Sequence, residues 1–217
     1  MAEQPNRIYL YTRYERFWHW FQVTLIGILM VTGLEVHGVF TLLGFERAVE
    51  VHNVTGITWL IAFFFFVFWL FTTGEWKQYI PTTRKLLAVM RYYGFGIFKG
   101  EPHPVAKSKA AKHNPLQRLT YLFLAAVMLP VQMITGFLYW GYNSWTGWGV
   151  DFLTLGTVAV VHTAAAFAVL VFLIVHVYMT TTGASVVAHL KGMITGWEDV
   201  EEHETVEDWE KAGKGIG

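Results

Sequence analysis

From Leu153 to Thr182 the chain runs without an Asp, Glu, Lys or Arg, and this run carries two histidines, His162 and His176. Such a stretch is suited to a helix across a bilayer. About 20 apolar residues cross the hydrocarbon, and a helix bonds every backbone polar group within the segment. The residues between the two histidines are apolar apart from Thr163. Their spacing sets the Cα atoms about 21 Å apart along a helix and about 40° short of four full turns. Both imidazoles therefore leave nearly the same face, one toward each side of the membrane. Ionisable residues inside spanning segments are rare and mark function, and imidazole is the usual axial ligand of haem iron. The stretch reads as the shared wall of a two-haem site.

Three further apolar runs predict an all-α membrane protein, a four-transmembrane-helix bundle with cytoplasmic surface helices, forming one domain over 1–217. The expected spans are 17–36, 52–73, 119–140 and 153–182. Residues 1–16 are polar, and the first span is too long for the core of a signal peptide, so it is expected to be retained. Pro130 is expected to kink the third span, as a proline inside a membrane helix does. Two stretches with apolar residues at helical spacing, TTRKLLAVMRYYGFGIF and SVVAHLKGMITGW, read as helices lying on the membrane surface. The acidic tail, 198–217, is expected to be exposed or partner-bound. No internal sequence repeat is evident.

Charge gives the orientation. Of sixteen Lys and Arg residues, three precede the first span, nine lie between the second and third, and three follow the fourth, leaving Arg47 alone on the other side. The positive-inside rule then puts both termini and the long 2–3 connection in the cytoplasm. Net charge is zero and points to no nucleic-acid partner. The chain has no cysteine, which excludes disulfides, Cys-ligated iron–sulfur clusters and c-type haem. Redox chemistry would have to rest on non-covalent cofactors held by histidine, with an iron–sulfur or multihaem partner bringing or taking the electrons.

With orientation assigned, the histidines sort by depth. His19 enters the first span from the cytoplasmic side and His176 lies toward the cytoplasmic end of the fourth. His52 opens the second span at the outer side and His162 lies toward the outer end of the fourth. One pair per leaflet is what bis-imidazole ligation of two stacked b haems requires. His37 lies eighteen residues after His19, five whole turns on, and on geometry alone could replace His52. Gly56, Gly136 and Ala164 to Ala166 would leave room for a flat macrocycle, although small residues also serve plain helix packing. A di-iron or zinc enzyme would want closely spaced ligands such as HExxH, and a transporter would want ionisable groups at mid-membrane; the spans offer neither. A haem-free anchor for a peripheral enzyme is the reading of a different class.

The motifs R-F-W-H-W around His19, H-N-V-T-G-I from His52, K-H-N-P-L-Q-R before the third span, H-T-A-A-A from His162, H-V-Y-M from His176 and K-G-M-I-T-G after the fourth span occur in this order. In these the chain resembles the di-haem cytochrome b subunits of membrane formate dehydrogenases, nickel–iron hydrogenases and thiosulfate reductases, a bacterial cytochrome b561-like family. The resemblance implies two haem b groups, the cytoplasmic one on His19 and His176 and the outer one on His52 and His162, favouring His52 over His37. It also implies a menaquinone or ubiquinone site beside His176, with Asn114 and Gln117 as quinone contacts. Formate dehydrogenase subunits have Ala-Gly where this chain has Pro115-Leu116, and Asn114-Pro115 also reads as a helix start with Pro at its first position. The implied role is an electron-transfer subunit without substrate chemistry of its own. It would sit in the bacterial or archaeal inner membrane, relaying electrons between quinone and an extracytoplasmic iron–sulfur or multihaem cytochrome subunit, and through that partner to a catalytic subunit.

Overall fold

The computed structural model describes residues 6–105, 111–183 and 186–200. The acidic tail beyond Val200, with His203, lies outside the described residues. Four helices are long and apolar enough to cross a membrane: α1 (Arg13–Val36), α2 (Phe45–Thr73), α4 (Pro115–Trp140) and α5 (Leu155–Thr180). Between α2 and α4 lies α3 (Leu86–Arg91), continued by helical turns of other pitch to Lys99. After α5 come α6 (Ala188–Thr195) and strand β2 (Trp197–Val200), which pairs antiparallel with β1 (Asn6–Tyr9).

The helix starts depart from the expected spans in a way that has a cause. α2 begins at Phe45, seven residues before His52, and so carries the histidine two turns inside it. The segment before it is held by Glu35, a buried carboxylate at the end of α1. Its Oε1 accepts from the backbone N–H groups of Leu42, Leu43 and Gly44 at 2.7–2.8 Å. A helix start leaves N–H groups unpaired and favours a negative charge, so Glu35 completes the start of α2 from a distance. α4 begins four residues before its apolar run because Asn114 and Gln117 form a reciprocal capping box ahead of Pro115. Pro130 has its effect one turn earlier. Leu124–Met128 widen into a π turn, which accommodates the clash of a proline ring with the carbonyl four residues back.

Contacts divide the chain into two compact units. The first comprises Phe17–Phe68 and Ala125–Ile174. Its core packs Leu25, Trp59, Ala62 and Met133 with Trp18, Phe21 and Leu129 around them. Trp59 donates its Nε1–H to Gln22 Oε1 at 2.6 Å. Outward on α2, Phe64, Phe65 and Phe68 are each about two-thirds exposed, a surface that suits lipid rather than water. The second unit gathers the described parts of Met1–Arg16, Trp69–Leu124 and Val175–Gly217. Here Val89 and Val105 pack with Tyr93 and Leu116, β1 pairs with β2, and the Arg16 guanidinium donates to the Ile194 carbonyl.

Candidate functional site

In the first unit α1, α2, α4 and α5 surround a cavity of about 940 Å³. That volume is at the upper end of ligand pockets, which run roughly 300–1,000 Å³. His52 from α2 and His162 from α5 line it and face one another, ring centroids 6.3 Å apart and planes at 80°. Each ring is seated against the neighbouring helix by a Thr-Gly pair. A Cβ on Gly33 would stand 3.3 Å from His52 Cε1, and one on Gly136 would stand 3.0 Å from His162 Cε1. A side chain at either position would crowd its imidazole.

The threonines supply the polar contact. Thr32 Oγ1 lies 3.0 Å from His52 Nδ1 and donates to the Ile28 carbonyl at 2.7 Å. Thr135 Oγ1 lies 3.1 Å from His162 Nδ1 and donates to the Val131 carbonyl at 2.6 Å. Gln132 Nε2 approaches His162 Nε2 at 3.1 Å, while the buried Gln132 Oε1 has no hydrogen-bond partner among the described residues. His37 follows α1 as an exposed side chain on the lining of the same cavity, whereas Gly56, Gly136 and Ala164 also line it.

The other two histidines expected at the site fall in different units. His19 belongs to the first, partly buried on α1 with its ring edge-on to Trp20 at 5.4 Å. His176 belongs to the second and is partly buried on α5. Among the described residues no group of three or more His, Cys, Asp or Glu is placed to hold a bare metal ion.

In the second unit Asn114 and Gln117 are engaged by the chain itself. Asn114 Oδ1 accepts from Gln117 N–H at 2.9 Å and Gln117 Oε1 accepts from Asn114 N–H at 3.0 Å. Asn114 Nδ2 donates to the Tyr93 hydroxyl at 3.0 Å, which stands 3.2 Å from His103 Nε2. Two buried cations belong to the same unit. Lys112, 8% exposed, bridges Glu15 at 2.7 Å and Glu75 at 3.3 Å. Arg118 is 1% exposed and donates from Nε to the His113 carbonyl at 3.1 Å. His113 lies between the rings of Tyr79 and Tyr121, at 5.6 and 5.1 Å. Burial, and then the Lys112 charge, push its pKa down to about 4, so it is neutral at physiological pH.

The seats of both histidines share a short sequence signal. Met30-Val-Thr-Gly-Leu34 and Met133-Ile-Thr-Gly-Phe137 are near copies, each placing its Thr-Gly against a histidine of the next spanning helix. The signal is short, and the same pattern recurs at Met193–Trp197, where Gly196 ends α6 at φ +89°.

The model of the family described as prokaryotic cytochrome b561 matches residues 10–196. Among curated proteins the chain is similar to a putative cytochrome YdhU of Escherichia coli K12, with 32% identity covering 90% of this chain and 76% of that protein. It is also similar to two probable Ni/Fe-hydrogenase B-type cytochrome subunits. That of Rhodobacter capsulatus is 26% identical over 79% of this chain and 72% of its own. That of Cupriavidus necator H16 is 27% identical over 78% and 77%. No solved structure matches. With four membrane-spanning helices and a family model that covers most of its length, the chain belongs to the prokaryotic cytochrome b561 family, multi-pass membrane b-type cytochromes of electron transfer that hold haem b.

Proposed function

We propose that the chain is a di-haem relay: His52 and His162 hold an outer haem b, and His19 and His176 hold a second on the cytoplasmic side. The observation that carries the reading is the facing of His52 and His162. An imidazole binds a metal through one nitrogen at about 2.0 Å, so two on opposite sides of one ion have centroids roughly 6 Å apart. The 6.3 Å separation fits that requirement. Rotation about the shared axis leaves the separation unchanged, so the 80° between ring planes is compatible with it. The cavity is mainly apolar and large, and the Oε1 of Gln132 is a buried acceptor with no partner among the described residues. These residues fit haem b.

When bound, haem b supplies reversible one-electron exchange. The protein's part is to hold both imidazoles at fixed separation, to exclude water with the apolar lining, and to bring the chain of carriers across the hydrocarbon. Two stacked groups span a thickness that one tunnelling step would cross poorly. The Lys and Arg distribution supports cytoplasmic termini, in a bacterial or archaeal inner membrane. A quinone, menaquinone or ubiquinone, would exchange electrons at the cytoplasmic side. There Asn114 and Gln117 would offer amide contacts beside His176 once the capping box rearranges or shares its donors. The hydrogenase subunits among the relatives support a catalytic partner complex, and in this reading an extracytoplasmic iron–sulfur or multihaem subunit links the chain to it.

Pyridine haemochrome quantification on the purified subunit tests the reading. Two b haems per chain are expected. One haem would overturn the di-haem relay, and none in a folded preparation would leave a haem-free anchor.

A further inference from the structure

We propose that Thr32 and Thr135 are positioning residues that lock His52 and His162 in one tautomer, present Nε2 of each ring to the iron, and lower the potential of the outer haem. The inference rests on the reading that these two histidines hold that haem. It goes beyond the reading by assigning a task to residues outside the ligand set.

The assignment follows from counting protons. A threonine hydroxyl has one hydrogen to give and two lone pairs to receive with. Thr32 spends its hydrogen on the Ile28 carbonyl at 2.7 Å, and Thr135 spends its own on the Val131 carbonyl at 2.6 Å. Toward the imidazoles, 3.0 and 3.1 Å away, each hydroxyl can only accept. With the hydroxyl hydrogens on the carbonyls, Nδ1 of both rings carries the proton, which leaves the lone pair on Nε2. The following glycines complete the device. Gly33 and Gly136 let the ring edges come within the reach of a Cβ, at 3.3 and 3.0 Å, so the hydroxyl meets Nδ1 without a side chain in between.

The consequence is electronic as well as geometric. A ligand histidine that donates its second N–H to an acceptor is the stronger base, and second-shell hydrogen bonding is one of the levers on haem potential. A more basic imidazole favours the ferric state. Losing the acceptor should raise the midpoint potential.

The test uses the full-length subunit in detergent, with haem counted by pyridine haemochrome and potentials read by spectroelectrochemical titration. Thr32→Val and Thr135→Val keep the shape and remove the hydroxyl acceptor, leaving each ring only a backbone carbonyl, of Leu29 or of Gln132. Each is expected to shift one haem's midpoint potential upward and leave the other unchanged, with a larger shift in the double variant. Thr→Ser at either position is expected to restore the wild-type value. Loss of one haem in a valine variant that serine prevents also supports the assignment. An unshifted potential with haem retained, or a loss or shift that serine does not reverse, overturns it. His162→Ala separates the two levels: if it keeps the full haem complement, the ligand reading itself fails.

Discussion

His52 and His162 face each other across one cavity, ring centroids 6.3 Å apart, although they lie on different helices and 110 residues apart in the chain. The arrangement is set from outside the pair. Thr32-Gly33 on α1 seats the first ring and Thr135-Gly136 on α4 seats the second. Four helices thus each contribute one element of a single site.

Haem content should separate His37 from His52. Both line the cavity, but His37 is exposed at the end of α1, whereas His52 is held by Thr32 against His162. Replacing His52 by Ala is expected to remove one of two haems, and replacing His37 by Ala to remove none. Haemochrome quantification checks this, and loss of haem in the His37 variant alone would reassign the ligand.

The glycines should rank by the space they leave. Gly136→Ala puts a methyl 3.0 Å from His162 Cε1 and Gly33→Ala puts one 3.3 Å from His52 Cε1, while a Cβ on Gly27 meets nothing within 4 Å. Gly136→Ala is expected to disturb the outer haem most, by lowered occupancy or an altered absorption band, and Gly33→Ala less. Gly27→Ala should leave the spectrum alone and stabilise α1 by up to about 1 kcal/mol.

Lys112 holds two carboxylates in the second unit. Breaking a buried ion pair by removing one partner costs about 3–5 kcal/mol when both ends are desolvated. Glu15 and Glu75 keep 17% and 31% exposure, so Lys112→Met is expected to cost less, about 1–3 kcal/mol. Thermal unfolding in detergent measures it; an unchanged transition would show that the two carboxylates are satisfied without Lys112.

His113 makes the second unit sensitive to acid. Its pKa is depressed from 6.5 to about 4, by burial first and then by Lys112. Between these values the unfolded chain binds a proton that the folded chain refuses, so stability falls as pH drops through that window. The full effect is on the order of 3 kcal/mol, from about 1.4 kcal/mol per unit. In His113→Gln the slope of stability against pH between 6.5 and 4 is expected to flatten. A parallel slope in the variant would assign the acid sensitivity to other groups.

The sequence by itself determined the four apolar spans, the mainly helical class and the spacing of His162 and His176 along one helix. Each depends on local properties: the length of an apolar run against bilayer thickness, and the helix period along one segment. It also made the capping box at Asn114 readable, because Asn-Pro and a Gln three residues later lie within one turn. Tertiary structure decided what helix rotation and distant contacts control. Glu35 starts α2 at Phe45 by accepting from three backbone N–H groups seven to nine residues away, which placed His52 inside the helix rather than at its head. Of three similar Met-x-Thr-Gly segments, two seat a histidine and the third ends a helix at Gly196. Four nearly identical letters serve two purposes, because the neighbouring helix, not the segment, determines what the threonine hydroxyl meets.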